Sequence, residues 1–115
     1  GLTPLERVYA YEPVPPDLSP EEARHILGAQ GALWTEHVQT FAAVERAVLP
    51  RMLALAELAW TAPERRSWPS FVTRVLPNVE SLATRGHAVF IPSPVGWRRR
   101  TVFLDRTSAD IRAPS

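Results

Sequence analysis

The sequence predicts a mainly α fold with one or two short strands, incomplete as a stand-alone domain. Three observations carry that expectation. Residues 25–60, HILGAQGALWTEHVQTFAAVERAVLPRMLALAELAW, read as a short apolar strand, a polar loop and a long apolar helix. Residues 69–85 carry a second helical pattern, in which Phe71, Val72, Val75, Leu76, Val79 and Leu82 form one apolar face. The strand-like run also has no partner of equal quality in the chain, although pairing with neighbours is how a strand satisfies its backbone groups.

Each element follows from local chemistry, taken in order. Thr3-Pro4-Leu5-Glu6 offers a capping residue, a proline at the first helical position and a glutamate three residues after the cap. A helix of one or two turns is expected from Pro4 to about Tyr9. EPVPP, residues 12–16, is not helical, because the residue before each proline is pushed to extended geometry. Ser19-Pro20-Glu21-Glu22 repeats the capping signature and starts a second short helix ending near Arg24.

The run 25–33 is apolar without strict alternation, as suits a strand covered on both faces. Gly28 and Gly31 within it suit the close approach of another backbone or a narrow barrel interior. In a parallel α/β barrel, functional side chains sit at the C-terminal end of such a strand, and here that end carries Trp34 and Glu36. Thr40 is a candidate N-cap for a helix from Phe41 to about Trp60, with a kink at Pro50. From Ala47 onward that helix is apolar nearly all round apart from Arg51 and Glu57, so burial on several sides is expected. Arg51 and Glu57 then read as structural ions partnered by other elements of a larger domain, since lone buried charges are costly. After the turn at Thr61-Ala62-Pro63 comes the helix at 69–85, with Pro77 as a bend or break and Gly86 as its stop. Residues 88–91 and 101–104 are the only other strand candidates, both short. Beyond Pro94 the tail, with Arg98-Arg99-Arg100, reads as an edge strand or loosely ordered segment, its arginines more a solvated stretch than a phosphate site.

Composition narrows the function. A chain of 115 residues with 45% hydrophobic content predicts one domain with a real core. The net charge of +1 gives no footing for nucleic acid or a charged membrane surface. The absence of cysteine excludes disulfides, thiolate catalysis and cysteine-based zinc sites, and suits reducing and secreted settings alike. No apolar run approaches the roughly 20 residues that span a bilayer, so a soluble protein without membrane partners is expected. His25, His37 and His87 are scattered, so no metal site and no cofactor are expected.

LGAQGALWTEHV, then VLPRMLALAELAW, then PERRSWPSFVTRV resemble the last βα unit of the family-20 glycoside hydrolases, the β-N-acetylhexosaminidases. The lead-in VYAYEPVPP and the later RGHAVFIPSP are similar to the same family, so the likeness spans residues 3–94. It implies that residues 1–95 are a C-terminal fragment of a (β/α)8 catalytic barrel: its eighth strand, its eighth helix and a trailing helix. Residues 96–115 would then be a tail that opens a further C-terminal module. The resemblance implies a retaining, substrate-assisted hydrolysis of terminal N-acetylglucosamine or N-acetylgalactosamine. In that reaction the substrate's own 2-acetamido oxygen attacks the anomeric carbon, an exception to the usual scheme with two working carboxylates.

For this chain the resemblance implies two substrate-binding residues and no catalytic one. Trp34 would wall the pocket for the N-acetylhexosamine ring, its indole covering the apolar face of the sugar. Glu36 would accept charge-assisted hydrogen bonds from sugar hydroxyls. The catalytic Asp-Glu pair and the tyrosine that supports the acetamido group belong to earlier parts of the barrel, so Tyr9 and Tyr11 do not take that role. Without the resemblance, Trp34 reads as a core aromatic and Glu36 as a solvated loop acid or helix-start charge. Trp60 and Trp68 read as core or interface anchors. The implied partners are an N-acetylhexosamine-containing glycan and either the rest of the barrel or a second copy of the chain. The competing expectation is a non-catalytic helical module that associates through the surface meant for the barrel. A free-standing sugar-binding module ranks last, because one wall of a pocket gives little affinity.

Overall fold

The computed structural model describes residues 3–89, which form five α-helices and one 3-10 turn: α1 (Leu5–Tyr9), α2 (Pro20–Ala23), α3 (Phe41–Val48), α4 (Arg51–Trp60), the turn Pro63–Arg65, and α5 (Trp68–Thr84). The fold is mainly α as predicted, but among the described residues there is no strand. The expected strand at 25–33 starts as a turn at His25 and then carries neither helix nor ladder. A strand exists only through its neighbours, and no other described segment offers an edge to it. Residues 88 and 89 also take no strand, and the rest of that candidate, the candidate at 101–104 and the tail after Pro94 lie outside the described residues.

The local signals otherwise act where they stand. Ser19 Oγ accepts from the Glu22 amide at 3.2 Å while the Ser19 amide donates to Glu22 Oε2 at 2.8 Å, a complete capping box on α2. Thr40 Oγ1 accepts from the Ala43 amide at 3.1 Å and starts α3. Thr3 does not cap α1; Pro4 holds the N-cap position without a side-chain bond. At the far end of α5, Gly86 takes φ 91°, its amide donates to the Ala83 carbonyl, and the His87 amide donates to the Leu82 carbonyl. This pair of bonds is the Schellman closure, and it needs the left-handed conformation glycine adopts freely.

Pro50 does more than kink. Leu49 is extended (φ −92°, ψ 129°), the Leu49–Pro50 bond is cis, and the expected single helix is two helices, α3 and α4. Pro50 disfavours the helical conformation at Leu49 and has no amide proton to continue the ladder. Pro77, by contrast, lies inside an unbroken α5.

The core lies where α1 and α5 meet α4. Leu5 and Tyr9 of α1, Ala54 of α4, and Phe71, Val75, Val79 and Ala83 of α5 form one buried cluster. The α5 members recur every four residues, the spacing of a single helix face. Tyr9, Phe71 and Trp68 form one ring cluster: Tyr9 stacks on Phe71 with centroids 4.6 Å apart, and Trp68 lies 5.8 Å from Phe71 and 5.6 Å from Tyr9. α4 is not buried all round. Met52, Ala56 and Ala59 are exposed and Trp60 is 90% exposed, so Trp60 is no core anchor of the described chain, whereas Trp68 packs against the core cluster.

The ions on α4 find their partners inside this chain, not outside it. Arg51, only 9% exposed, donates from Nε to the Thr3 carbonyl at 2.6 Å and from Nη1 to the Arg46 and Ala47 carbonyls at 3.2 and 3.0 Å. It thereby caps the C-terminal end of α3 and ties down the lead-in to α1. Arg66 does the same for α4, donating to the Leu58 and Thr61 carbonyls at 2.9 and 2.8 Å and pairing with Glu12 at 3.0 Å. Glu57 accepts both Arg74 Nη groups, at 2.7 and 2.6 Å, and the Tyr9 hydroxyl at 3.0 Å. That hydroxyl in turn accepts from the Ser67 amide at 2.8 Å, so α1, α4 and α5 share one polar joint.

The joint sets an acid limit to stability. The hydrogen bonds from Arg74 are the chief cause that holds the Glu57 carboxyl below its ordinary value of 4.5; burial pushes the other way, and the Tyr9 hydroxyl adds to the downward pull. A carboxyl with a depressed value in the folded chain binds its proton more readily once unfolded. Its contribution to stability is therefore present above the unfolded value and lost as pH falls through the folded one. The urea midpoint of the native chain is expected to fall as pH drops below about 4.5, and to fall less steeply in Glu57→Gln. An equally steep acid limb in that variant would remove Glu57 from the account.

Candidate functional site

Trp34 and Glu36 stand on a turn held at both ends. Leu33 and Val38 are half-buried feet, and between them the Val38 amide donates to the Thr35 carbonyl at 3.0 Å. Thr40 then caps α3 and fixes where the turn ends. Both candidate side chains point away from the packed part of the chain. Trp34 is 78% exposed and Glu36 is exposed; among the described residues neither joins a hydrogen bond, ion pair or ring contact. The reading of Trp34 as a core aromatic therefore fails for this chain. An exposed indole two residues from an exposed carboxylate offers chemistry suited to a ligand with an apolar face and hydroxyl groups.

Upstream of the turn, Gly31 lies against α4. A Cβ placed on Gly31 would come within 3.1 Å of Leu55 Cδ2, whereas one on Gly28 would meet nothing within 4 Å. Only Gly31 has a close neighbour, and it is a leucine side chain of α4 and not the backbone expected at both glycines. From there a groove of about 590 Å³ runs between the stretch Gln30 to Leu33, the α1 side chains Val8 and Tyr11 just beyond it, and the α4 residues Met52 and Leu55. Its wall stops at Leu33, one residue short of Trp34. The groove and the candidate sugar-facing pair are neighbours, not one pocket.

Downstream, α3 is anchored by a contact that periodicity does not reveal. Glu45, one turn into α3, accepts from His87 Nδ1 at 2.6 Å through Oε1 and from the Ala88 amide at 3.0 Å through Oε2. The two partners are 42 and 43 residues away, and nothing in the local pattern of either segment couples them. His25 and His37 are exposed and take no part. Among the described residues no group of three or more histidine, aspartate or glutamate side chains is placed to hold a metal ion, and no helix is long and apolar enough to cross a membrane. Tyr9 is enclosed in the core and bonded to Glu57 and Ser67, while Tyr11 lines the groove.

Comparison with known proteins gives one family. The model of glycosyl hydrolase family 20, catalytic domain, matches residues 1–63. The chain is 38% identical over 94 residues to the beta-hexosaminidase of Porphyromonas gingivalis, an alignment covering 82% of this chain and 12% of that protein. It is 36% identical over 93 residues to the beta-N-acetylhexosaminidase of Cellulomonas fimi, covering 76% of this chain and 18% of that protein. A beta-hexosaminidase of Vibrio vulnificus is 50% identical over 48 residues, 42% of this chain and 5% of its own length. The chain thus spans less than a fifth of the length of each of these relatives.

Proposed function

The chain belongs to glycosyl hydrolase family 20, and from that membership we propose that it is the closing βα unit and trailing helix of the (β/α)8 barrel of a β-N-acetylhexosaminidase. Residues 1–95 form that part of the barrel, and residues 96–115 open a further module. The whole protein removes terminal N-acetylglucosamine or N-acetylgalactosamine from a glycan with retention at the anomeric carbon. One observation carries the reading: Trp34 and Glu36 are both solvent-facing on a turn between an apolar non-helical stretch and a capped helix, where a barrel presents its substrate residues.

The division of labour follows. Trp34 offers its face to the apolar side of the pyranose, and Glu36 accepts from its hydroxyls, so together they orient the ring. The acetamido oxygen of the substrate forms a bond to the anomeric carbon as the glycosidic bond breaks, and a glutamic acid elsewhere in the barrel gives its proton to the departing oxygen. That acid and its partner aspartate come from the rest of the barrel, so the 115-residue chain alone is inactive. The missing strand ladder at 25–33 and the bare apolar side chains of α4 have the same explanation: other barrel elements cover them. Leu27, 96% exposed, and Trp60 support this reading. They also support the second reading, a helical module that binds a partner or its own copy through the same face.

The test is hydrolysis of an aryl N-acetylglucosaminide by the full-length protein, with the aryl glucoside as control. The substrate lacking the acetamido group is expected to be inert. Trp34→Ala is expected to reduce kcat/KM on the order of 100-fold, since roughly 100 Å² of apolar contact at about 25 cal/mol per Å² is about 2.5 kcal/mol. Equal cleavage of both substrates, or an unchanged Trp34→Ala enzyme, would overturn the proposal. The 115-residue chain is expected to show no turnover above background.

A further inference from the structure

We propose that Glu45 and His87 form a clasp that positions the turn bearing Trp34 and Glu36, which makes both of them positioning residues for sugar binding. The inference rests on the reading of that turn as a sugar contact and names what holds it in place.

The geometry is that of a short lever held at its middle and at its far end, with the turn on the near end. α3 has only eight residues and is separated from α4 by the interruption at Leu49-Pro50, so α4 does not fix its direction through a continuous backbone. Arg51 holds its C-terminal carbonyls. Its middle is tied through Glu45, the fifth of its eight residues, five after the Thr40 cap and nine after Glu36. Glu45 is largely enclosed, with 13% of its side chain exposed, and uses each carboxylate oxygen on a different partner of the same strap. A two-point bond of this kind sets orientation as well as distance.

The strap itself is well placed to act as a fixed post. The Schellman closure at Gly86 turns the chain sharply off α5, and Ala88 and Val89 are then buried, Val89 within the core cluster. His87 stands at the edge of that post with 43% of its side chain exposed, so its removal leaves no core cavity. When the clasp opens, α3 gains freedom at its N-terminal end. That freedom passes to the turn, because only Gln39 separates Val38 from the Thr40 cap. A misplaced Glu36 weakens ring binding more than it alters chemistry performed by residues elsewhere.

The experiment measures KM and kcat of the full-length protein on an aryl N-acetylglucosaminide for His87→Ala and His87→Gln, with Trp34→Ala alongside. His87→Ala is expected to raise KM about five-fold with kcat within about two-fold of the parent. His87→Gln, whose amide can still donate to Glu45, is expected to restore KM to within about two-fold. A merely structural contact would instead lower the melting temperature and the active fraction with KM unchanged. An unchanged KM in His87→Ala, with Trp34→Ala raised, overturns the clasp and leaves the sugar site standing. An unchanged KM in Trp34→Ala overturns both. Should His87→Ala fail to accumulate, Glu45→Gln replaces it, keeping an acceptor for the Ala88 amide and losing the charge; a KM equal to the parent's then overturns the clasp.

Discussion

Phe71→Ala is expected to destabilise the chain by about 4 kcal/mol, within the range for truncating a buried aromatic ring. Phe71 is 2% exposed and is the nearer of the two α5 rings, Phe71 and Trp68, that pack on Tyr9 of α1. Removal forfeits the transfer term of the ring, opens a cavity bounded by helices that cannot close on it, and leaves both neighbours without their stacking partner. A domain of this size has only about 5–15 kcal/mol in total, so a large part of the population unfolds in modest urea. Phe71→Leu fills most of the space and is expected to lose less than half as much. The check is the urea midpoint followed by far-ultraviolet circular dichroism. A loss below about 1 kcal/mol for Phe71→Ala would mean that α5 is not packed on α1 through this ring.

Arg51→Met is the second large effect, expected at about 3 kcal/mol of destabilisation. Methionine keeps an apolar stem of similar bulk but stops short of the guanidinium position, so the chief loss is of donors. The carbonyls of Thr3, Arg46 and Ala47 lose the group that satisfies them, and two of these close the end of α3. Burial lowers the proton affinity of the guanidinium, yet arginine remains charged and keeps its fixed fork. Arg51→Lys is expected to recover little, because one ammonium on a flexible stem cannot serve carbonyls on two sides as the planar group does. Replacing a buried charge with an apolar residue is in some proteins stabilising. If Arg51→Met melts above the parent, the carbonyls are satisfied by other means and the capping role is wrong.

The elements that could be read from local sequence are those whose bonds close within a few residues. Ser19 with Glu22, Thr40 with Ala43, and Gly86 with Ala83 each complete their hydrogen bonds inside one turn, and each stands as its residue type implies. The spacing of Phe71, Val75 and Val79 likewise marks a buried face whatever covers it. Pro50 was legible as a disturbance, but its consequence, two helices instead of one bent one, depends on how Arg51 and the packing of α4 reward the break. The expected strand at 25–33 fails for the opposite reason: its pattern is apolar enough, but a strand is a relation between segments, and the described residues contain no second edge.

The candidate site divides in the same way. Trp34 and Glu36 were found from the strand-loop-helix pattern and the family likeness, while their exposure was not, because a tryptophan after an apolar run suits a core equally well. Arg51 and Glu57 read in the sequence as ions needing partners, with nothing local to say that those partners lie in this chain. Glu57 meets Arg74 and Tyr9, Arg51 meets Thr3, and Glu45 meets His87, at separations from 17 to 48 residues. By itself the sequence determined the helical segments, the caps of α2 and α3, the stop of α5, the apolar face of α5 and the family. Tertiary structure alone decided which charges pair, that Gly31 and not Gly28 abuts α4, and that Trp34 faces water. The physical reason is range: a cap or a periodic face is a property of neighbours along the chain, whereas an ion pair or a buried ring depends on which surfaces the finished fold brings together.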